Sequence, residues 1–364
     1  MRWAFYNARE AFPRYQGLWN EINRAQGNHI LLDSQFVGAL VRHFASEQTL
    51  LGVSDNSSPS LVIVDRIRSG FWQTFQPAQS PLGLILISDE KTVFEQIESL
   101  IHELPGHALG FAVLQQDPDF STFYDLSVTT KMDILEYVKT SRISLQGCFK
   151  QYWQSLGRYY VDDLRRQDRR LSERGVEFKL VVQRSEESVN DCVREHGRLE
   201  ETGWKGKEGT AITADNRQGL FYREILQAFC AQEEGVIYQL LFNGKVVASD
   251  LCLERNGMLI VLKIAYDESL KGLSPGKLLH REMLHSLFNA GNIKMLEWYG
   301  RLHDWQVKLR SEPRTMYHVN FYRNRWVAVA RRHVKAALGL YNGWLRRCGI
   351  TGRTLPDPET ASAS

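Results

Sequence analysis

The stretch from Val236 to Tyr266 constrains this chain more than any other. Three apolar runs, Val236–Phe242, Lys245–Leu253 and Met258–Tyr266, follow one another with only short polar breaks. They read as strands, and Asn243-Gly244 between the first two tolerates the positive φ that a two-residue hairpin demands. A strand over Glu177–Val182 and helices over Ser185–Glu201 and Arg217–Gln232 precede them. After them come a helix from Pro275 to Ala290, a strand over Lys294–Tyr299, a short helix near Asp304–Arg310 and a strand over Thr315–Tyr322. The order βααβββαβαβ requires a mixed sheet with helices packed on it, an α/β (α+β) architecture.

That order fills residues 176–326 and leaves a first half of comparable size. With 364 residues and a soft prior of ~150 per domain, two domains are expected. Residues 1–148 read as helices Ala11–Ala25 and Ser34–Glu47, strands Leu61–Asp65, Phe71–Phe75 and Leu84–Ile87, a helix Glu90–Glu103 and a strand Ala108–Leu114. Residues 149–175 read as one charged helical connector ending at Gly175. A basic amphipathic helix over 327–350 and a loose polar tail over 351–364 complete the chain.

Composition narrows the class. A hydrophobic fraction of 43% with 24% charged residues is that of ordinary globular domains. No apolar run approaches the ~20 residues of a membrane span, and Arg9 and Glu10 interrupt the N-terminus where a secretory leader is apolar. A cytoplasmic location is the expectation. The five cysteines are scattered without a CxxC pair, and His280, His285, His303, His318 and His333 fall at no ligand spacing. Buried free thiols and no metal are therefore expected.

The segment AYDESLKGLSPGKLLHREML (Ala265–Leu284) resembles the Tyr-Asp…Ser-Pro-Gly-x-Leu-Leu signature of the CelD-like branch of GNAT proteins, which is related to the FemAB peptidyltransferases. GWKGKEGTAI (Gly203–Ile212), EWYGRLHDWQVKL (Glu297–Leu309), RTMYHVNFYR (Arg314–Arg323) and FKQYWQSLGRYYVDDLRRQ (Phe149–Gln167) resemble the same branch, as do Gln79–Gly83 and Gln115–Pro118 in the first half. The resemblance implies two tandem GNAT-like domains, the first degenerate. It implies that the second moves an acyl group from acyl-CoA, acetyl-CoA or longer, to an amine, on an amino sugar or another cell-envelope or exopolysaccharide acceptor.

The residues give this reading a place. Ser274 can cap the helix that Pro275 opens, and Gly276 lets a ligand approach the backbone, so a pyrophosphate suits the free N–H groups there. Lys271 to Gly276 stands where the family has its phosphate loop, with Ser274 replacing a glycine and Pro275 removing one donor. Lys271 and Lys277 supply charge, and Gly272, Ile264 and Tyr266 complete the expected donor site. An ammonium acceptor must lose a proton before it attacks, so Glu201 or Asp304 is the expected base, and Tyr299 the acid for the leaving thiolate. Trp204, Lys205, Asp267, Glu297 and Arg301 are the candidate acceptor contacts.

Two features keep other readings open. Between Arg301 and Arg347 eleven Lys/Arg face two acids, Asp304 and Glu312, which attracts polyanions and admits a FemAB-like aminoacyl-tRNA-dependent peptidyltransferase or a catalytically decayed binding scaffold. Within it, Val327–Arg347 sets Leu338, Leu340, Trp344 and Leu345 against Arg331, Arg332, Lys335, Arg346 and Arg347. Such a helix can rest on an anionic membrane and reach lipid amines or long acyl chains.

Overall fold

Asn243 and Gly244 adopt φ of 46° and 82°, and Asn256 and Gly257 adopt 54° and 75°. Two tight two-residue turns therefore fold the three central runs into a meander, the second turn being one the sequence reading had not singled out. The computed structural model describes residues 1–347 apart from 57, 122 and 124–128, and not the side chains of 90, 204, 205 and 338–347. The expected tail over 351–364 lies outside the described residues.

The chain forms two compact units that interleave in sequence: one of Met1–Gly27, Ala45–Tyr137 and the chain from Met316 on, the other of Asn28–Phe44 and Val138–Thr315. This departs from the expected contiguous division at 148 and 176. The last strands of the two halves, Met132–Ser144 and Glu312–Tyr322, are each divided between the units.

In the first unit β1 (Trp3–Asn7), β2 (Leu50–Ser54), β3 (Leu61–Arg68), β4 (Phe71–Thr74) and β6 (Gly110–Gln116) lie side by side in that order, with β5 (Ile85–Leu86) on β3. The C-terminal part of β13 (Glu312–Tyr322) pairs with β6. β4 and β6 run parallel, over Phe71↔Gly110 to Gln73↔Ala112. Helix α1 (Ala8–Ala25) starts at Asn7, whose side chain accepts from the amides of Arg9 and Glu10. Helix α3 (Val93–Glu103) buries Val93, Ile97, Leu100 and Ile101 against Val62, Trp72 and Phe111. Helix α11 (Arg325–Arg347) closes the description.

The second unit repeats the scheme. Its sheet runs β8 (Phe178–Gln183), β9 (Gly235–Phe242), β10 (Lys245–Arg255), β11 (Met258–Tyr266), β12 (Met295–Trp298), then the end of β7 (Met132–Ser144). Again the fourth and fifth strands are parallel, over three residue pairs. Neighbouring residues of β10 point to opposite faces: Ser249 meets His196 of α6 (Val189–Glu201), while Asp250 meets His280 of α9 (Pro275–Ala290). Helices α6, α8 (Arg217–Cys230) and α2 (Ser34–Phe44) therefore cover one face, with Phe36 and Phe44 against Phe221 at 5.6 and 5.3 Å.

The expected single connector is two helices, α4 (Phe149–Ser155) and α5 (Arg158–Glu173), broken at Leu156-Gly157. Its stripe of Tyr160, Val161, Leu164 and Leu171 joins the second unit's core, so it is part of that unit. Cys148 is exposed, against the expectation of buried thiols, whereas Cys192, Cys230 and Cys252 are buried.

Candidate active site

Parallel pairing of β11 with β12 ends where Ile260 faces Glu297. Beyond that pair β11 continues to Tyr266 while β12 stops at Trp298. An extra residue in β11, at the register shift between Leu251 and Cys252 of β10, adds twist at this point. The two strands diverge, and a 3-10 turn over Glu268–Leu273 carries β11 into α9.

On the face covered by α6 and α8, the divergence exposes a charged cluster to the sheet. Lys263 of β11 lies 3.5 Å from Glu200 Oε1 and donates to Gln218 Oε1 at 3.3 Å. The other Glu200 oxygen accepts the Ile212 amide at 2.8 Å, and His196 Nε2 lies 3.8 Å from Oε1. Tyr222 lies under the Lys263 ammonium, and burial, reinforced by the Glu200 charge, pushes its hydroxyl pKa up. Glycines close this wall. A Cβ on Gly197 would overlap the Ile212 carbonyl, and one on Gly219 the Thr213 carbonyl.

Glu297 is fully buried and its Oε2 meets Arg314 Nη2 at 2.7 Å. The Arg314 guanidinium also lies over the Tyr299 ring, 5.2 Å from its centroid. Tyr299 Oη sits 2.9 Å from His29 Nε2. Burial, helped by the charges of Arg314 and Arg255, lowers the His29 pKa to about 3, so its ring is neutral. Its Nδ1 accepts the Leu31 amide at 3.2 Å, which puts the single ring proton on Nε2. His29 therefore donates to Tyr299, and the phenolic proton of Tyr299 is directed elsewhere. On the other face, Asp250 Oδ2 meets His280 Nε2 at 3.1 Å, and the His280 ring stacks on Trp305 at 4.7 Å.

The expected site residues separate under this geometry. Glu201 is exposed at the end of α6 and lines a shallow groove of about 280 Å³ with Arg194, Arg198 and Thr213. Asp304 is exposed in the first turn of the five-residue α10 (Asp304–Lys308), and Arg301 is exposed. Asp267 is buried, but its carboxylate caps the 3-10 turn, accepting from the Ser269 amide at 3.0 Å. Trp204 and Lys205 stand in a short helix, α7 (Trp204–Lys207), rather than in the expected loop, and their side chains lie outside the described residues.

At the start of α9, Pro275 takes the first helical position as expected. Ser274 does not cap. It is left-handed, with φ 52° and ψ 49°, and its side chain makes no capping bond, because the preceding turn delivers the chain to the helix through this residue. Gly276 faces the Tyr266 ring, whose Cδ1 lies 3.6 Å from the site of a Cβ, and Ile264 is on the same face. Lys271 and Gly272 are exposed, while Lys277 is held by Asp163 at 2.8 Å.

The first unit has no such opening at its parallel pair. Thr74 Oγ1 accepts the Leu114 amide at 3.0 Å, and Gly83 lies so near the Leu114 carbonyl that a Cβ would overlap it. Residues of 80–86 thus occupy the place where the strands would part.

Comparison with known proteins identifies the arrangement. Residues 159–307 match the family model described as acetyltransferase (GNAT) domain. Residues 159–307, within the second unit, therefore carry a GNAT domain. No curated protein matches the chain. Among solved structures, the C-terminal domain (DUF2156) of a putative lysylphosphatidylglycerol synthetase from Agrobacterium fabrum superposes with a TM-score of 0.53 at 14% identity, over 88% of this chain and 95% of that one. FemX gives 0.54 at 8% identity, over 88% and 97%, and a protein of unknown function from Bacteroides thetaiotaomicron gives 0.53 at 11%, over 87% and 99%. These likenesses extend the shared fold across both units.

The sequence reading missed Glu200 and Lys263. Helical phase could have found the first: Val189, Cys192, Val193, His196, Leu199 and Glu200 share the buried side of α6, and Glu201 is a step off it. A lone lysine inside the apolar strand MLIVLKIAY was the signal for the second.

Proposed function

We propose that the second unit transfers an acyl group from acyl-CoA to an amine, on an amino sugar or another cell-envelope or exopolysaccharide acceptor. The observation that carries this is the divergence of β11 from β12 beside the start of α9. The donor's pyrophosphate meets the α9 N-terminus at Gly276, with Lys271, Gly272, Ser274 and Lys277 around it, and its pantetheine arm follows Ile264 and Tyr266 into the gap. The acceptor enters from the side of Trp204, Lys205 and Arg301.

In the reaction the amine nitrogen bonds to the thioester carbon and the carbon–sulfur bond breaks. The amine's proton must go to a base and the thiolate must gain one. Tyr299, oriented by His29, gives the second proton. For the first we assign Glu200, buried beside Lys263 at the gap, ahead of the solvated Glu201 and Asp304. Glu297 and Asp267 hold the wall and the turn.

Calorimetric titration of CoA into the wild type and Gly276→Glu tests the placement. A Glu carboxylate at the helix start repels the pyrophosphate, so binding should weaken tenfold or more, ~1.4 kcal/mol. Equal affinity in both proteins overturns the placement. Should the wild type bind no CoA, an aminoacyl donor becomes the stronger reading, since FemX shares the fold.

A further inference from the structure

The first unit holds two like charges together without a counter-ion. Arg68, at the tip of the β3–β4 hairpin, and Arg331 of α11 both lie over the Phe71 ring, with their Cζ atoms 4.6 and 5.0 Å from its centroid. Neither makes an ion pair with a carboxylate among the described residues, and Arg331 Nη1 is buried with no hydrogen-bond partner. Burial and the charge of Arg331 lower the Arg68 pKa, so the pair repels. An anion seated there would relieve the repulsion. The same two elements carry exposed apolar side chains: Trp326 is 68% exposed, Val334 55%, and Ile67, next to Arg68, and Val329 each 39%. On α11 Trp326 is flanked by Val329, three residues on, and Val334, eight residues on, and Arg325 stacks on the Trp326 ring at 4.7 Å. The sequence from Pro313 to Pro356 contains no acidic residue. Asp133 pairs with Arg332 of this helix.

We propose that this face of the first unit docks on an anionic lipid bilayer, with Arg68 and Arg331 on headgroup phosphates and Trp326, Val329, Val334 and Ile67 in the interfacial layer. A nucleic acid would satisfy the arginines but leave these apolar side chains in water. A bilayer interface takes both.

The test is co-sedimentation of the whole protein with phosphatidylcholine vesicles, with and without about a third phosphatidylglycerol. The wild type should sediment with the anionic vesicles only. Arg68→Glu with Arg331→Glu should weaken this by well over tenfold, at about fivefold per removed positive charge near the surface. Trp326→Ser with Val334→Ser keeps every charge and should also lose binding. Circular dichroism checks that each variant is folded. Equal binding to neutral vesicles, or variants that bind as the wild type does, overturns the proposal. So does tight binding to a single-stranded RNA homopolymer with none to either vesicle.

Discussion

His29 should make the fold acid-sensitive by a calculable amount. Its pKa falls from 6.5 to about 3 on burial. Between those values the unfolded chain binds a proton that the folded one does not. Stability is thus fully present above pH 6.5 and is lost as pH falls toward 3. At pH 5 the unfolded state gains 1.5 pH units of protonation, and at 1.36 kcal/mol per unit this costs the fold ~2 kcal/mol relative to pH 7. Other groups titrate over the same range, so the contribution appears only as a difference. The perturbation is His29→Gln, whose amide can still donate to Tyr299. Urea denaturation of both proteins at pH 7 and pH 5, followed by fluorescence, should give a pH-dependent loss smaller by ~2 kcal/mol in the variant. If wild type and variant lose the same stability, His29 is not held neutral. The tautomer assigned to it, and the orientation of Tyr299 that follows, would then be wrong.

Two further outcomes follow from packing. Arg314→Met leaves Glu297 buried without its partner and should cost ~3–5 kcal/mol, of which Glu297→Gln in the same chain recovers a large part. Additive single effects in the urea-derived double-mutant cycle would show that the pair is not coupled. Gly197→Ala, a change worth ~0.5–1 kcal/mol of stabilisation in an ordinary helix, should instead destabilise by ~1–3 kcal/mol, because the new Cβ meets the Ile212 carbonyl. An unchanged or raised melting temperature would contradict that close approach.

Much of the second unit was legible because its strands are long, apolar and separated by turn residues with one conformational meaning. The helix from Pro275 to Ala290 matched to the residue, since Pro275 and Gly291, with φ 68°, mark its ends. The first unit was read less well. Strand β1 is five residues running directly into α1, and β2 contains Gly52, which serves close approach to Phe5 and Val62, both 3.0 Å from the site of a Cβ, rather than a turn. The interleaving of the units was beyond local reasoning, because strand exchange between halves leaves no periodic signal. Glu200, the base proposed here, was passed over in favour of its neighbour for a similar cause: Glu200 and Glu201 are chemically alike, and only the phase of α6 against the sheet separates a buried carboxylate from a solvated one.

The two units provide a control for one another. Both pair their fourth and fifth strands in parallel over three residue pairs, so any demand of the architecture alone should appear twice. In the first unit those strands, FWQT and GFAVLQQ, carry no charge, and their buried side chains include Trp72, Phe111 and Val113. In the second they bring Lys263 and Glu297, with Glu200 and Arg314 drawn in beside them. Burying an ion pair costs several kcal/mol in desolvation, which its own attraction seldom exceeds, and apolar replacements are often as stable or more so. Stability therefore does not explain the charges, since the first unit reaches the same geometry without them. They sit where the gap between strands is open, whereas the parallel strands of the unit whose gap is filled by its own chain carry none.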